Sequence, residues 1–317
     1  MNILKSIIAL FFLICSSYAS TLKPSHKFVA SGGVNDIVIA NQTLYVATSS
    51  SKVDIFNLNT QEHIKSISIP QIKDFMGDII DSKIYSVDVL KDKILILSQG
   101  AKGGRNIDIY QNGKLENIIS DTKRLFIAKA KFVNDDKIVF SLLSNQLYLH
   151  DVMHDKTLYI KQVSQSKFSN FILSENKKEI IIADESGDLQ QYDLLSGQHK
   201  RSYENQNLDN VFQIDLKNSV ILTAGQDRRA VVYNQNKTYY KNSSFLIYSC
   251  GLSPSGKLGA YSFNEDNEVN VFNTQTKKDL YTLTSNKMTL TKILFINEKE
   301  ILVSSDDKNI NYYKLKK

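Results

Sequence analysis

One pattern recurs seven times along the chain: a short strand ending in an aromatic ring or a histidine, at Phe56, Tyr110, His150, Tyr192, Tyr233, Phe272 and Tyr313. Successive members lie 54, 40, 42, 41, 39 and 41 residues apart. A fixed period of this length marks a chain of similar supersecondary units that cover one another's apolar faces. A second series runs in step with the first. It consists of β-rich stretches at 43–48, 93–98, 137–142, 179–183, 220–224, 257–263 and 300–304.

Each unit reads alike, and residues 212–241 show the plan. A strand with alternating apolar residues (Phe212, Ile214, Leu216) is followed by a polar turn and a near-continuous apolar strand over 220–223. A Gly/Asp turn then leads to the ring-bearing strand, and a more polar stretch over 238–241 completes the unit. Short strands at regular spacing with turn signals between them predict an all-β chain. Only the second strand is apolar on both faces, so it belongs inside a sheet covered on both sides. The polar fourth strand belongs at the outer edge. Four such antiparallel strands make one blade, and seven units make a seven-bladed β-propeller. The ring on the third strand fills the gap that sheet twist opens between neighbouring blades.

The seventh unit ends after its third strand, near Leu315. Residues 26–31, with Phe28, Val29 and Ala30, have strand character and precede the first unit. They are expected to supply the missing outer strand of blade seven, which would close the ring and leave no open edge.

The first nineteen residues stand apart from this plan. Lys5, an apolar run over 7–14 and the small residues Ser17 and Ala19 form a secretory signal, expected to be cleaved after Ala19. Attachment of lipid at Cys15 is disfavoured because bulky Ile14 precedes it. The expected product is a single propeller domain over 20–317, exported to a bacterial periplasm, monomeric and without stable membrane insertion. Cys250 is then the one remaining thiol and reads as a small buried hydrophobe. A net charge of +6, or +5 without Lys5, is spread among mixed signs with no basic stripe. That composition excludes nucleic acid as an expected partner.

The chain resembles the WD40 family. Tyr192-Asp193 stands where that family has Trp-Asp, and Leu252-Ser253-Pro254-Ser255-Gly256 is similar to its first-turn motif. The chain has no Trp, and the family's Gly-His dipeptide is missing. The resemblance implies that the links between blades and the turns before the third strands share one face, at a mouth of the central channel. The long first interval comes from two insertions there, residues 70–82 and 100–106. Long loops on a rigid scaffold commonly carry function. Candidate interaction residues are therefore Phe75 and Met76, which either fold down over the blade or form a docking finger, Lys102 and Arg105 in the second insertion, and Arg228 and Arg229 in the fifth blade.

The pair His150 and His154 in "HDVMHD" has a spacing that suits metal on a helix, but the segment reads as a strand and turn. No nucleophile elbow, zinc-protease, haem-attachment or phosphate-loop motif occurs. The expected role is a protein-binding accessory or scaffold without catalytic residues, cofactor or metal. An exported, Trp-free propeller of this size is also similar to the NapL family of accessory proteins of periplasmic nitrate reductases, which implies reductase components as partners. Two other classes stay open: a lactonase-type hydrolase with a metal in the channel, and a component of outer-membrane protein assembly.

Overall fold

The computed structural model describes residues 19–234 and 237–316. The expected signal, apart from Ala19, lies outside the described residues. Seven blades of four antiparallel strands follow one another around the ring, six of them four-stranded sheets and the sixth blade carrying a fifth strand. Blade one contains Val34–Ala40, Thr43–Thr48, Lys52–Asn57 and His63–Ser68. The inner strands of the next five blades are Ile84–Leu90, Ile127–Phe132, Phe168–Leu173, Val211–Lys217 and Cys250–Leu252. Blade seven starts with Leu290–Asn297 and continues through Glu300–Ser305 and Asn309–Lys314. Each inner strand touches the next, and that of blade seven touches that of blade one, so the ring is closed.

The two repeating series occupy one register. Leu44, Ile94, Ile138, Ile180, Ile221, Gly259 and Ile301 of the second strands pair with Phe56, Tyr110, His150, Tyr192, Tyr233, Phe272 and Tyr313 of the third strands. The second strands are buried almost throughout, as their unbroken apolar character requires. The core is divided into seven clusters, one between each pair of neighbouring blades. Phe56, Tyr192, Tyr233, Phe272 and Tyr313 each join the cluster shared with the preceding blade. The recurring ring is therefore an interblade wedge.

The amino-terminal segment closes the ring as expected and does more. His26–Val29 pairs antiparallel with blade seven, from His26 opposite Tyr312 to Val29 opposite Asn309. Phe28 is buried, and its ring packs edge-on against Phe56 of blade one at 5.4 Å. Upstream, Ser20–Leu22 adds a fifth, parallel strand to blade six, with Leu22 opposite Leu283. One short segment thus ties blades six, seven and one together. The parallel strand carried no pattern in the sequence, because three residues are too few for alternation to register.

Candidate functional site

The inner strands share a motif in which a polar residue stands between buried apolar ones. It reads Val34-Asn35-Asp36-Ile37, Ile84-Tyr85-Ser86-Val87, Ile127-Ala128-Lys129-Ala130, Phe168-Ser169-Asn170-Phe171, Val211-Phe212-Gln213-Ile214, Ile247-Tyr248-Ser249-Cys250 and Leu290-Thr291-Lys292-Ile293. The first and fourth residues of all seven are buried. In six of them the register slips between the first and third residues, which is a β-bulge. A bulge re-aims the side chain that follows it. Asp36, Ser86, Lys129, Asn170, Gln213, Ser249 and Lys292 thereby form a polar ring at the axis, and Asp88, Lys131 and Asp215 stand two residues further along three of the strands.

Side chains of this ring stitch neighbouring blades. Asp36 Oδ2 accepts the Val87 N–H at 3.2 Å, Asp88 Oδ2 the Phe132 N–H at 2.8 Å, and Asp215 Oδ2 the Leu252 N–H at 2.8 Å. Lys292 Nζ donates to Asp36 Oδ1 at 2.6 Å. Lys131 Nζ donates to Val87 O at 2.9 Å and to Asp88 Oδ1 at 3.3 Å. Lys129 Nζ donates to Asn170 Oδ1 at 2.7 Å and to Phe171 O at 2.8 Å. Gln213 accepts from Ser249 Oγ and donates to Thr291 O, which spans blades five, six and seven. Between blades six and seven the strands come so close that a Cβ on Gly251 would lie 2.4 Å from Ile293 O.

Low polarity around these charges displaces their proton equilibria. Burial disfavours the charged form of Lys129, Lys292 and Lys131 repel it further, and Asp36 and Asp215 offset only part, so its pKa falls to about 7. Burial works against the Asp36 carboxylate too, but Lys292, Lys131 and Lys129 outweigh it and hold its pKa below the usual range. Lys131 resists the same burial because Asp88 and Asp36 stabilise its charge, and its pKa is raised.

Two adjoining cavities occupy the axis. One, of about 380 Å³, is lined by Asn35, Tyr85, Ser169, Phe212 and Tyr248 at the end where the inner strands begin. The other, of about 470 Å³, is lined by Ile39, Leu173, Lys177 and Ile296 at the end where they finish. Lys129, Lys217 and Lys292 border both.

The antiparallel order places the blade-to-blade links and the turns before the third strands on one face, at the mouth where the inner strands begin. Residues 70–82 form a two-stranded hairpin, Ile72–Lys73 with Ile79–Ile80. Asp74 Oδ1 accepts the N–H groups of Met76 and Asp78, which sets the turn. At its tip Phe75 is 91% exposed and Met76 72% exposed. Lys102 is exposed in a short 3-10 turn, Ala101–Gly103, braced where Ala101 N–H donates to Asp121 at 2.7 Å. Arg105 lies on the Tyr85 ring at 3.6 Å and donates to Ile127 O at 2.7 Å, at the lip of the channel. Arg229 lies over Tyr240 at 4.3 Å and donates to Gln206 O at 2.9 Å, while neighbouring Arg228 is exposed on a turn of positive φ. The structure places Phe75 and Met76 on the link between blades one and two, and Lys102 and Arg105 at the turn before the third strand of blade two, on the same face. It places Arg228 and Arg229 in blade five, across the ring.

His150 fills the ring position of blade three, with Nδ1 3.4 Å from Thr157 Oγ1, and His154 is exposed beside Asp151. Among the described residues no three of His, Cys, Asp or Glu group as a metal site, and no helix is long and apolar enough to cross a membrane. Cys250 is buried, and burial drives its thiol pKa well up. No family model and no curated protein sequence matches the chain.

The polar ring is not legible in the two series that mark the blades. The signal was present in the third residue of the seven inner-strand motifs, but it lay outside the two series that reveal the blades.

Proposed function

We propose that this protein is an exported scaffold without catalytic activity of its own, which docks a protein partner on the face carrying the blade-to-blade links. One observation carries the reading: of the thirteen exposed large apolar side chains among the described residues, six lie on those links, against five on outer strands and two on turns of the opposite face. Phe75, Met76 and Ile79 lie between blades one and two, Phe126 between two and three, Leu208 between four and five, and Met288 between six and seven. Exposed apolar groups gathered on one face of a folded domain mark an interaction surface, and the braced hairpin presents Phe75 and Met76 without a further ordering cost.

The partner class comes from resemblance. The Tyr192-Asp193 pair and the 252–256 turn resemble those of WD40-like propellers, and the expected signal and Trp-free composition are similar to those of the NapL accessory proteins. The proposed partner is a component of a periplasmic nitrate reductase system. Immobilised mature protein should retain such a component from a periplasmic extract, and Phe75→Ser with Met76→Ser should abolish retention. Equal retention by the double variant, or retention of outer-membrane barrel proteins instead, contradicts the proposal.

A further inference from the structure

We propose that the channel, on the side away from the docking face, binds a small monocarboxylate with an apolar chain or ring, its head held by Lys129, Lys217 and Lys292.

Donors and acceptors at the axis are mismatched. The three axial carboxylates are occupied: Asp36, Asp88 and Asp215 each accept a backbone N–H of the next blade, and Asp36 and Asp88 each also accept from a lysine. The ammonium groups are not exhausted. Each offers three donors, of which Lys129 spends two and Lys292 one. Lys217 borders both cavities, and its ammonium group has no hydrogen-bond or ion-pair partner among the described residues. At the axis the spare groups are donors, which selects an anion over a cation there; Glu175, which borders the larger cavity, is the one lining carboxylate without a hydrogen-bond or ion-pair partner among the described residues.

Charge sets the number of negative groups. Five lysines line the two cavities (Lys129, Lys131, Lys177, Lys217 and Lys292) against Asp36, Asp88, Asp215 and Glu175. Five less four leaves a single positive charge when Lys129 is protonated, which one carboxylate neutralises. A polyanion would overshoot it.

The walls set the rest of the ligand. Beyond the lysines, Ile39, Phe171, Ile172, Leu173, Leu294 and Ile296 face the larger cavity. Its size, about 470 Å³, is within the range of small-molecule sites. An inorganic anion would leave these walls against water, whereas an alkyl or aryl group covers them.

Proton coupling gives a signature that a merely structural lysine cannot. At about pH 8 the free channel holds Lys129 largely neutral among Lys131, Lys292, Asp36, Asp88 and Asp215. A bound carboxylate draws it back to the charged form, so binding takes up about one proton.

The test is calorimetric titration of the folded protein with octanoate, 1-octanol and acetate at about pH 8, in buffers of different ionisation enthalpy. Octanoate should bind saturably, one per chain, with proton uptake, while octanol and acetate should not saturate at the same concentrations. Lys217→Met should weaken octanoate roughly tenfold, the loss of a charge-assisted hydrogen bond, with an unchanged melting temperature. Absence of saturable octanoate binding, equal binding of octanol or acetate, binding without proton uptake, or unaltered binding by a folded Lys217→Met variant overturns the proposal.

Discussion

Lys292 of blade seven donates to Asp36 of blade one at 2.6 Å, and Asp36 in turn accepts the Val87 N–H of blade two. One carboxylate thus joins three blades at the axis, where the ring closes. Removing the cation leaves that carboxylate buried without its partner. Lys292→Met should therefore cost about 3–5 kcal/mol in urea unfolding, and the doubly altered Lys292→Met, Asp36→Asn protein should recover part of the loss. Asp36 has a lowered folded pKa, so the stability it contributes is complete above the unfolded carboxylate value and disappears as pH falls through the folded value. Asp36→Asn should flatten that acid limb.

Lys129 gives a slope of the same sign in a higher pH window. Its folded pKa of about 7 lies below the ordinary lysine value of 10.5, so between those values the unfolded chain binds the extra proton. Stability should rise with pH across that window, by at most about 1.4 kcal/mol per unit from this residue. Chemical denaturation from neutral to alkaline pH, compared between the native protein and Lys129→Met, isolates the contribution. A parallel pair of curves contradicts it.

Closure by the amino-terminal segment should dominate the stability of the whole ring. Phe28 sits between Tyr312 of blade seven and Phe56 of blade one. Phe28→Ala should cost about 3–5 kcal/mol, and deletion of residues 20–33 should abolish cooperative unfolding. Calorimetry of both variants checks the ranking.

At Gly251 the inner strands of blades six and seven approach too closely for a side chain, since a Cβ would meet backbone at 2.4 Å. Gly251→Ala must push the two blades apart and should cost about 1–3 kcal/mol. Circular dichroism melting measures it, and an unchanged melting temperature for Gly251→Ala contradicts it.

The blades were legible because period, register and burial coincide. An apolar second strand and a ring-bearing third strand must recur together if every sheet is to cover its neighbour, so Ile180 opposite Tyr192 and Ile301 opposite Tyr313 repeat one physical requirement. Gly259 opposite Phe272 is the same requirement met by omission, because the ring fills the place of a side chain. The channel was harder to read. Its residues differ in chemistry from blade to blade, Asp36 against Lys129 against Gln213, so only the spacing is conserved within the chain. Exposed positions such as Phe75 could be placed on an insertion, but whether the hairpin folds down depends on Asp74 setting the turn, which spacing does not reveal.

The docking face is tested most directly by placing a photo-activatable amino acid at position 75 and, separately, at position 195, an exposed apolar site on the opposite face between the third and outer strands of blade four. Irradiation in the native cell should join a partner protein, by the proposed function a nitrate reductase component, to position 75 and not to position 195. No adduct from position 75, or the same adduct from both positions, would contradict the account.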